Sequence, residues 1–282
     1  MKWYSYVFLS LAAFLLTMGI AYAVGSRLVF IAVLLAFLIS WIAYIPAYLF
    51  QTEKFYDLTG SIKYLLLTWF IYTLSYEFYG FNIGNLILAT LISMWTLRLG
   101  SFLFMRIHKD GEDKRFRTIK TSASQFFLTW TLSGMWVSLC SICALTAIAN
   151  PFGVTLNLIT YIGIGLFFLG FSIEVIADQQ KTAFRSISEN KNRFITSGLW
   201  SKSRHPNYLG EIILWFAIAV ISFSSLSGTQ YIALISPIFT YLLLVYVSGV
   251  RMLEDRANTK WGNEPEYKEY KSKTPVLFFK IF

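Results

Sequence analysis

The sequence predicts an all-α polytopic membrane bundle of seven to eight spanning helices, and three observations carry that expectation. Apolar residues make up 56% of the 282 residues and charged ones only 14%, too few to clothe a soluble helical protein of this length. The apolar residues gather into runs of roughly 18–25, the length a helix needs to cross about 30 Å of hydrocarbon. The lysines and arginines concentrate in every second connection between those runs. Only helices and closed barrels satisfy their backbones in lipid, and continuous runs of this length read as helices.

The spans are expected at Trp3–Val24, Leu28–Phe50, Tyr64–Phe81, Leu86–Met105, Ser124–Ile148, Thr155–Ala177, Tyr208–Phe223 and Tyr231–Val250. The first has the outline of a signal peptide, with Lys2 before it and Ala21-Tyr22-Ala23 at its end. Its length, and the short Gly-Ser-Arg turn to the next span, favour a retained helix. Gly-Asn, Asn-Pro and Ser-Gly pairs mark the short connections at Gly80–Asn85, Asn150–Asn157 and Ser224–Gln230, which carry no lysine or arginine. The other face is basic and longer: Gln51–Lys63, Arg106–Ser122, Asp178–Pro206 and the tail Arg251–Phe282.

By the positive-inside rule the basic connections are cytoplasmic, which places both termini inside, as in a bacterial inner-membrane protein. Residues 1–282 read as one integral membrane domain without repeats or low-complexity linkers. The net charge of +9 is then explained by topology and needs no nucleic-acid partner. Cys140 and Cys143 have redox or zinc spacing, but no second pair or nearby histidine accompanies them; they read as core residues, with no metal site.

Ionisable residues inside the expected spans are Glu77, Arg98, Glu174 and Glu211. The last three lie toward the basic face. Arg98 shares a helix face with Arg106, Glu174 with Asp178, and Asn207 with Glu211. Buried polar groups are costly in lipid unless they pair or bind something. A structural ion pair between Arg98 and one of the glutamates is one reading; a ligand cavity open to the cytoplasm is the other.

The richest stretch is Gly198–Trp215, where the basic loop Ser203-Arg-His-Pro206 runs into a span that begins with Asn207, Tyr208, Glu211 and Trp215. A Rossmann phosphate loop is absent, no Ser/His/Asp arrangement stands out with only two histidines, and metal-ligand spacing is missing. What remains is Arg98, Arg106, Arg185, Arg193 and Arg204 among Asp178, Asn207 and Glu211. Guanidinium forks suit phosphate oxygens, while Asp, Asn and Glu suit ribose hydroxyls and amides. Anionic lipid headgroups would account for the basic residues but not for the acids between them.

These residues resemble the steroid 5α-reductase family, in particular its bacterial members. The resemblance rests on Glu112-Asp113 with Arg115, Asp178-Gln-Gln-Lys181 with Arg185, Gly198-Leu-Trp200, Ser203-Arg-His-Pro-Asn-Tyr-Leu-Gly-Glu211 with Trp215, then Glu254, Tyr267, Tyr270 and the closing Thr274-Pro275. It is strongest over residues 120–282, the expected catalytic region, and loose over the first hundred. It implies an NADPH-dependent reductase of the C=C bond of a lipophilic enone, a 3-oxo-Δ4-steroid or similar lipid, that enters from the bilayer and is reduced by a monomer. Cofactor binding is then assigned to Asp178, Arg185, Arg193, Asn207 and Glu211, with Arg98 and Arg106 toward the phosphates. Arg204, His205, Tyr208 and Trp215 belong to the same motif, and Arg251 and Glu254 close over the nucleotide. The family's tail histidine is lacking here, its substrate-binding Gln-Glu pair is approximated by Gln51-Thr-Glu53, and Trp95 stands near the place of its catalytic tyrosine.

Hydride addition to an enone builds charge on the carbonyl oxygen, which a Tyr or a protonated Glu can stabilise. Glu53, Tyr56 and Asp57 are the candidates, against a plain reading as an interfacial loop with Asp57 capping the next helix. The competing assignment is an S-adenosylmethionine-dependent methyltransferase of the isoprenylcysteine or phospholipid type. Those enzymes carry a similar Arg-His-Pro-x-Tyr-x-Gly stretch, a later Glu and a Tyr-x-x-Tyr tail. Asp178, Arg185 and the Asn207/Glu211 pair favour the larger phosphorylated dinucleotide. A non-catalytic lipid-binding protein is the third class, and it has no need of a polar cavity at this depth.

Overall fold

The computed structural model describes residues 2–279, and among these every regular element is helical. Among the described residues seven segments are long and apolar enough to cross a membrane, so the chain is an integral membrane protein of all-α class. It forms two compact units: Met1–Thr160 with Ile221–Ser236, and Tyr161–Val220 with Pro237–Phe282.

The first unit holds α1 (Trp3–Ala23), α2 (Arg27–Leu49), α3 (Tyr56–Tyr79), α4 (Ile83–Asp110), the single turn α5 (Phe116–Ile119) and α6 (Ala123–Ile148). The helix starts follow local chemistry. Ser26, Asn82 and Ser122 each accept a backbone N–H from three residues on, so α2, α4 and α6 begin on side-chain caps. The core helix is α6, 83% of whose most apolar window is buried, packed against α1, α2 and α3. Gly134 makes this close approach possible, since a Cβ there would stand 2.9 Å from the Phe37 ring of α2.

The expected third span, Tyr64–Phe81, overlaps α3 as far as Tyr79, but α3 is not among the seven segments. Its run mixes Tyr, Thr, Ser and Trp among the Leu and Phe, with Glu77 near its end, and lacks the aliphatic density of the others.

The second unit is built on α7 (Leu158–Ser186), α8 (Pro206–Phe223), the end of α9 (Ile235–Leu242), α10 (Val250–Trp261) and α11 (Pro265–Lys273). Helix α7 runs nine residues beyond the expected end at Ala177, because Asp178–Ser186 contains no Gly or Pro to stop it; Asp178 and Arg185 are therefore helical. The expected last span, Tyr231–Val250, is not one helix. It passes through a 3-10 segment (Gly228–Leu234), α9, and a π turn at Leu243–Val247 closed by Ser248 N–H donating to the Leu243 carbonyl at 2.9 Å. A Cβ at Gly249 would sit 2.2 Å from the Leu244 carbonyl, so this sharp exit into α10 needs glycine.

Candidate functional site

In the second unit, α7 and α8 cross at two glycines. A Cβ on Gly210 would lie 2.6 Å from both the Glu174 nitrogen and the Gly170 carbonyl, and one on Gly170 would meet the Gly210 carbonyl at 2.6 Å. Backbone therefore touches backbone. The crossing sets Glu174 and Asp178 of α7 beside the first turns of α8, which carry Asn207, Tyr208 and Glu211. Glu174, Asp178 and Glu211 are buried.

The loop that leads into α8 is tied down along its length. Gly198, with φ +62°, turns the chain where any side chain would strike Gln180, whose Oε1 accepts the Leu199 N–H at 2.9 Å. Trp200 donates through Nε1 to the Ala177 carbonyl at 3.0 Å and carries the Lys181 ammonium 4.4 Å from its ring centroid. The Tyr270 hydroxyl donates to the Trp200 carbonyl at 2.6 Å; burial pushes this phenol above its ordinary value, so it serves as a donor. The C-terminal strap then closes on the loop: Ser203 Oγ donates to the Leu277 carbonyl at 2.7 Å and the Arg204 N–H to Pro275 at 3.0 Å.

So held, Arg204 and His205 share one carboxylate. Arg204 Nη1 donates to Glu254 Oε2 at 2.6 Å, His205 Nε2 meets Oε1 at 2.8 Å, and Lys271 stands 3.8 Å away. Burial holds the His205 imidazole below its ordinary value, against the opposing pull of Glu254. Three buried atoms here have no hydrogen-bond partner among the described residues: Arg204 Nε, His205 Nδ1 and Asn207 Oδ1. Buried polar atoms are normally paired, so these three stand out in the loop. Trp215 is fully buried one to two turns further along α8, while Arg185, Arg193 and Arg251 are exposed.

Arg98 and Arg106 belong to α4 of the first unit, the former half-buried and the latter exposed. That unit also holds the catalytic candidates. Glu53 is buried and fully engaged: Oε1 accepts the Asp113 N–H at 3.0 Å and Oε2 pairs with Lys120 at 2.7 Å. Asp113 is paired with Arg115; burial would raise its carboxyl, but the Arg115 hydrogen bonds prevail and hold it lowered. Tyr56 donates to the Thr129 carbonyl at 3.0 Å, and Asp57 lies in the field of Arg115, Arg106 and Asp113.

Sequence reasoning placed Lys63 in the connection before the third span. The structure buries it completely within α3. The missed signal was helical phase: with a helix begun at Tyr56, Lys63 falls two turns later on the same face.

Fold and site define a helical integral membrane protein with a partly unsatisfied basic and acidic loop at the head of one helix. The chain belongs to the DUF1295 family, described as proteins of unknown function, whose model matches residues 43–274. An uncharacterized protein of Schizosaccharomyces pombe, C594.04c, is 24% identical over 249 residues, covering 73% of this chain and 68% of its own. No solved structure matches.

Proposed function

We propose that the protein is an NADPH-dependent reductase of the C=C bond of a lipophilic enone, a 3-oxo-Δ4-steroid or similar lipid. The observation that carries this reading is the trio of unsatisfied buried atoms on Arg204, His205 and Asn207. Their chemistry fits a phosphorylated, amide-bearing nucleotide. A guanidinium N–H suits a phosphate oxygen, and a carboxamide oxygen accepts from an amide or an adenine amine. The family is also a distant relative of steroid 5α-reductase-like membrane proteins. Asp178, Arg185, Arg193, Asn207 and Glu211 of the second unit would hold the nucleotide. Bound there, NADPH supplies hydride to the β-carbon of the enone. The lipid enters from the bilayer, and both termini face the cytoplasm.

Replacing Arg185 by Ala should weaken NADPH by about 1.5–3 kcal/mol, the worth of one charge-assisted bond, and Asn207→Ala by about 0.5–1.5 kcal/mol, that of a neutral one. The folded fraction should hardly change. Binding is read by the fluorescence of the reduced nicotinamide in detergent-purified protein. If both variants keep NADPH affinity but lose S-adenosylmethionine, the methyltransferase assignment replaces this one.

A further inference from the structure

The C-terminal strap has one side fastened and the other open. Its backbone is held by Ser203 and Arg204, which donate to the Leu277 and Pro275 carbonyls, and Leu277 is buried against Leu209 of α8 and Val250 of α10. Phe279 packs on the same cluster, beside Tyr208 and Ile212 in the first turns of α8. The strap therefore lies at the end of a membrane-spanning segment, Pro206–Phe223, at the depth where that helix leaves the bilayer. The residues on either side of Leu277 turn outward: Val276 is exposed and so is Phe278, at 63%. Apolar side chains left open beside a span mark contact with lipid.

Between this outer side of the strap, the last turn of α11 and Arg204 runs an open groove of about 470 Å³. Its two ends differ in chemistry. Lys271, Ser272 and Lys273 line one, and Val276, Phe278 and Phe279 the other. Three cations face the groove and, among the described residues, no carboxylate lines it. The lysines also keep donors to spare, since an ammonium carries three. Lys271 gives one to Asn258 Oδ1 at 2.7 Å and stands 3.8 Å from Glu254, a carboxylate already shared by Arg204 and His205. Lys273 meets Glu269 in an exposed pair one helical turn apart, a kind of bridge that contributes little and is readily exchanged. Arg204 is nine-tenths buried, so water screens its charge poorly.

We propose that this groove binds an anionic phospholipid of the surrounding leaflet, its phosphate at Lys271 and Lys273 and its acyl chain along Val276 and Phe278. The polarity of the groove matches that of the bilayer, with cations beyond the span and apolar side chains beside it. A soluble phosphate ester would leave the apolar half empty, and a zwitterionic headgroup would bring a further cation to three already present. Neither lysine belongs to the nucleotide site proposed above, so the assignment stands apart from the reductase reading.

The test is photolabelling of the intact protein in detergent micelles by a phosphatidylglycerol with a diazirine on one acyl chain, the label being located by peptide mass spectrometry. Wild type should be labelled within residues 274–279. Phosphatidylglycerol should displace that label at about 10- to 30-fold lower concentration than phosphatidylcholine of the same chains, the selectivity expected of two basic side chains near one headgroup. Lys271→Gln combined with Lys273→Gln keeps an amide donor for Asn258 and should shrink the preference to within about 3-fold. Phe278→Ser should weaken both lipids by about 10-fold and leave the preference intact. The two variants probe opposite ends of the groove, so either decides if the other does not fold. Labelling only outside residues 274–279, a wild type that does not distinguish the headgroups, or a lysine variant that keeps the full preference overturns the proposal. So does an unchanged affinity in Phe278→Ser. Displacement by glycerol 3-phosphate as effective as by phosphatidylglycerol overturns it too, and would assign the groove to a soluble phosphate ester.

Discussion

Removing the Glu254 carboxylate should unfasten the second unit at an acceptor shared by Arg204 and His205. Two short contacts converge on it, from Arg204 at 2.6 Å and His205 at 2.8 Å, while Lys271 at 3.8 Å is too distant to count as a hydrogen bond. The side chains of Arg204 and His205 are 10% and 7% exposed, so little water can replace the lost oxygens. Each charge-assisted bond is worth about 1.5–3 kcal/mol, and breaking a buried pair costs about 3–5 kcal/mol. Glu254 itself is 17% exposed, which trims the sum, and Glu254→Ala should cost about 3 kcal/mol. The assay is thermal unfolding in detergent, followed by tryptophan fluorescence. A double-mutant cycle with Arg204→Met and Glu254→Leu isolates the pair, with an expected coupling of about 1.5–3 kcal/mol. The backbone anchors Ser203–Leu277 and Arg204–Pro275 survive these changes, so the loop stays attached and the coupling reports the ion pair. Additivity within about 0.5 kcal/mol would refute the reasoning.

Gly210→Ala places a methyl 2.6 Å from two backbone atoms of α7, so the helices must part; about 1–3 kcal/mol of stability should be lost, with NADPH affinity, in a thermal-shift titration. The folded state holds His205 below its ordinary value of 6.5, so the unfolded chain takes up the proton first. Stability from this group is complete above about pH 6.5 and falls as pH drops toward the folded value, and His205→Gln should flatten unfolding midpoints measured between pH 7 and 5. Glu53→Ala strands the Lys120 ammonium and the Asp113 N–H, and should cost about 2–4 kcal/mol while loosening the 111–120 loop. Faster proteolysis of that loop is the readout, and an unchanged rate would argue that Glu53 is not its anchor.

The amino-acid sequence by itself determined the all-α membrane class, because apolar runs of bilayer length admit few other folds. It also singled out Ser203–Glu211, since arginine, histidine, asparagine and glutamate at a span entrance are costly to bury without partners. It placed the Tyr231–Val250 span inside one of the seven segments but not the breaks within it: the π turn and Gly249 depend on fit against the Leu244 carbonyl and the Tyr208 ring. Glu254 was visible only as a motif residue, and its sharing by Arg204 and His205, fifty and forty-nine residues earlier, was decided by tertiary folding. Lys63 shows the limit most plainly. A lysine beside a basic connection reads as solvated, and only the packing of α2 and α6 against α3 decides that it is enclosed between two serines. Composition and periodicity fix which surfaces must leave water. Which polar groups leave with them is fixed by distances between residues 23 and 70 positions apart, and those exist only once the helices have packed.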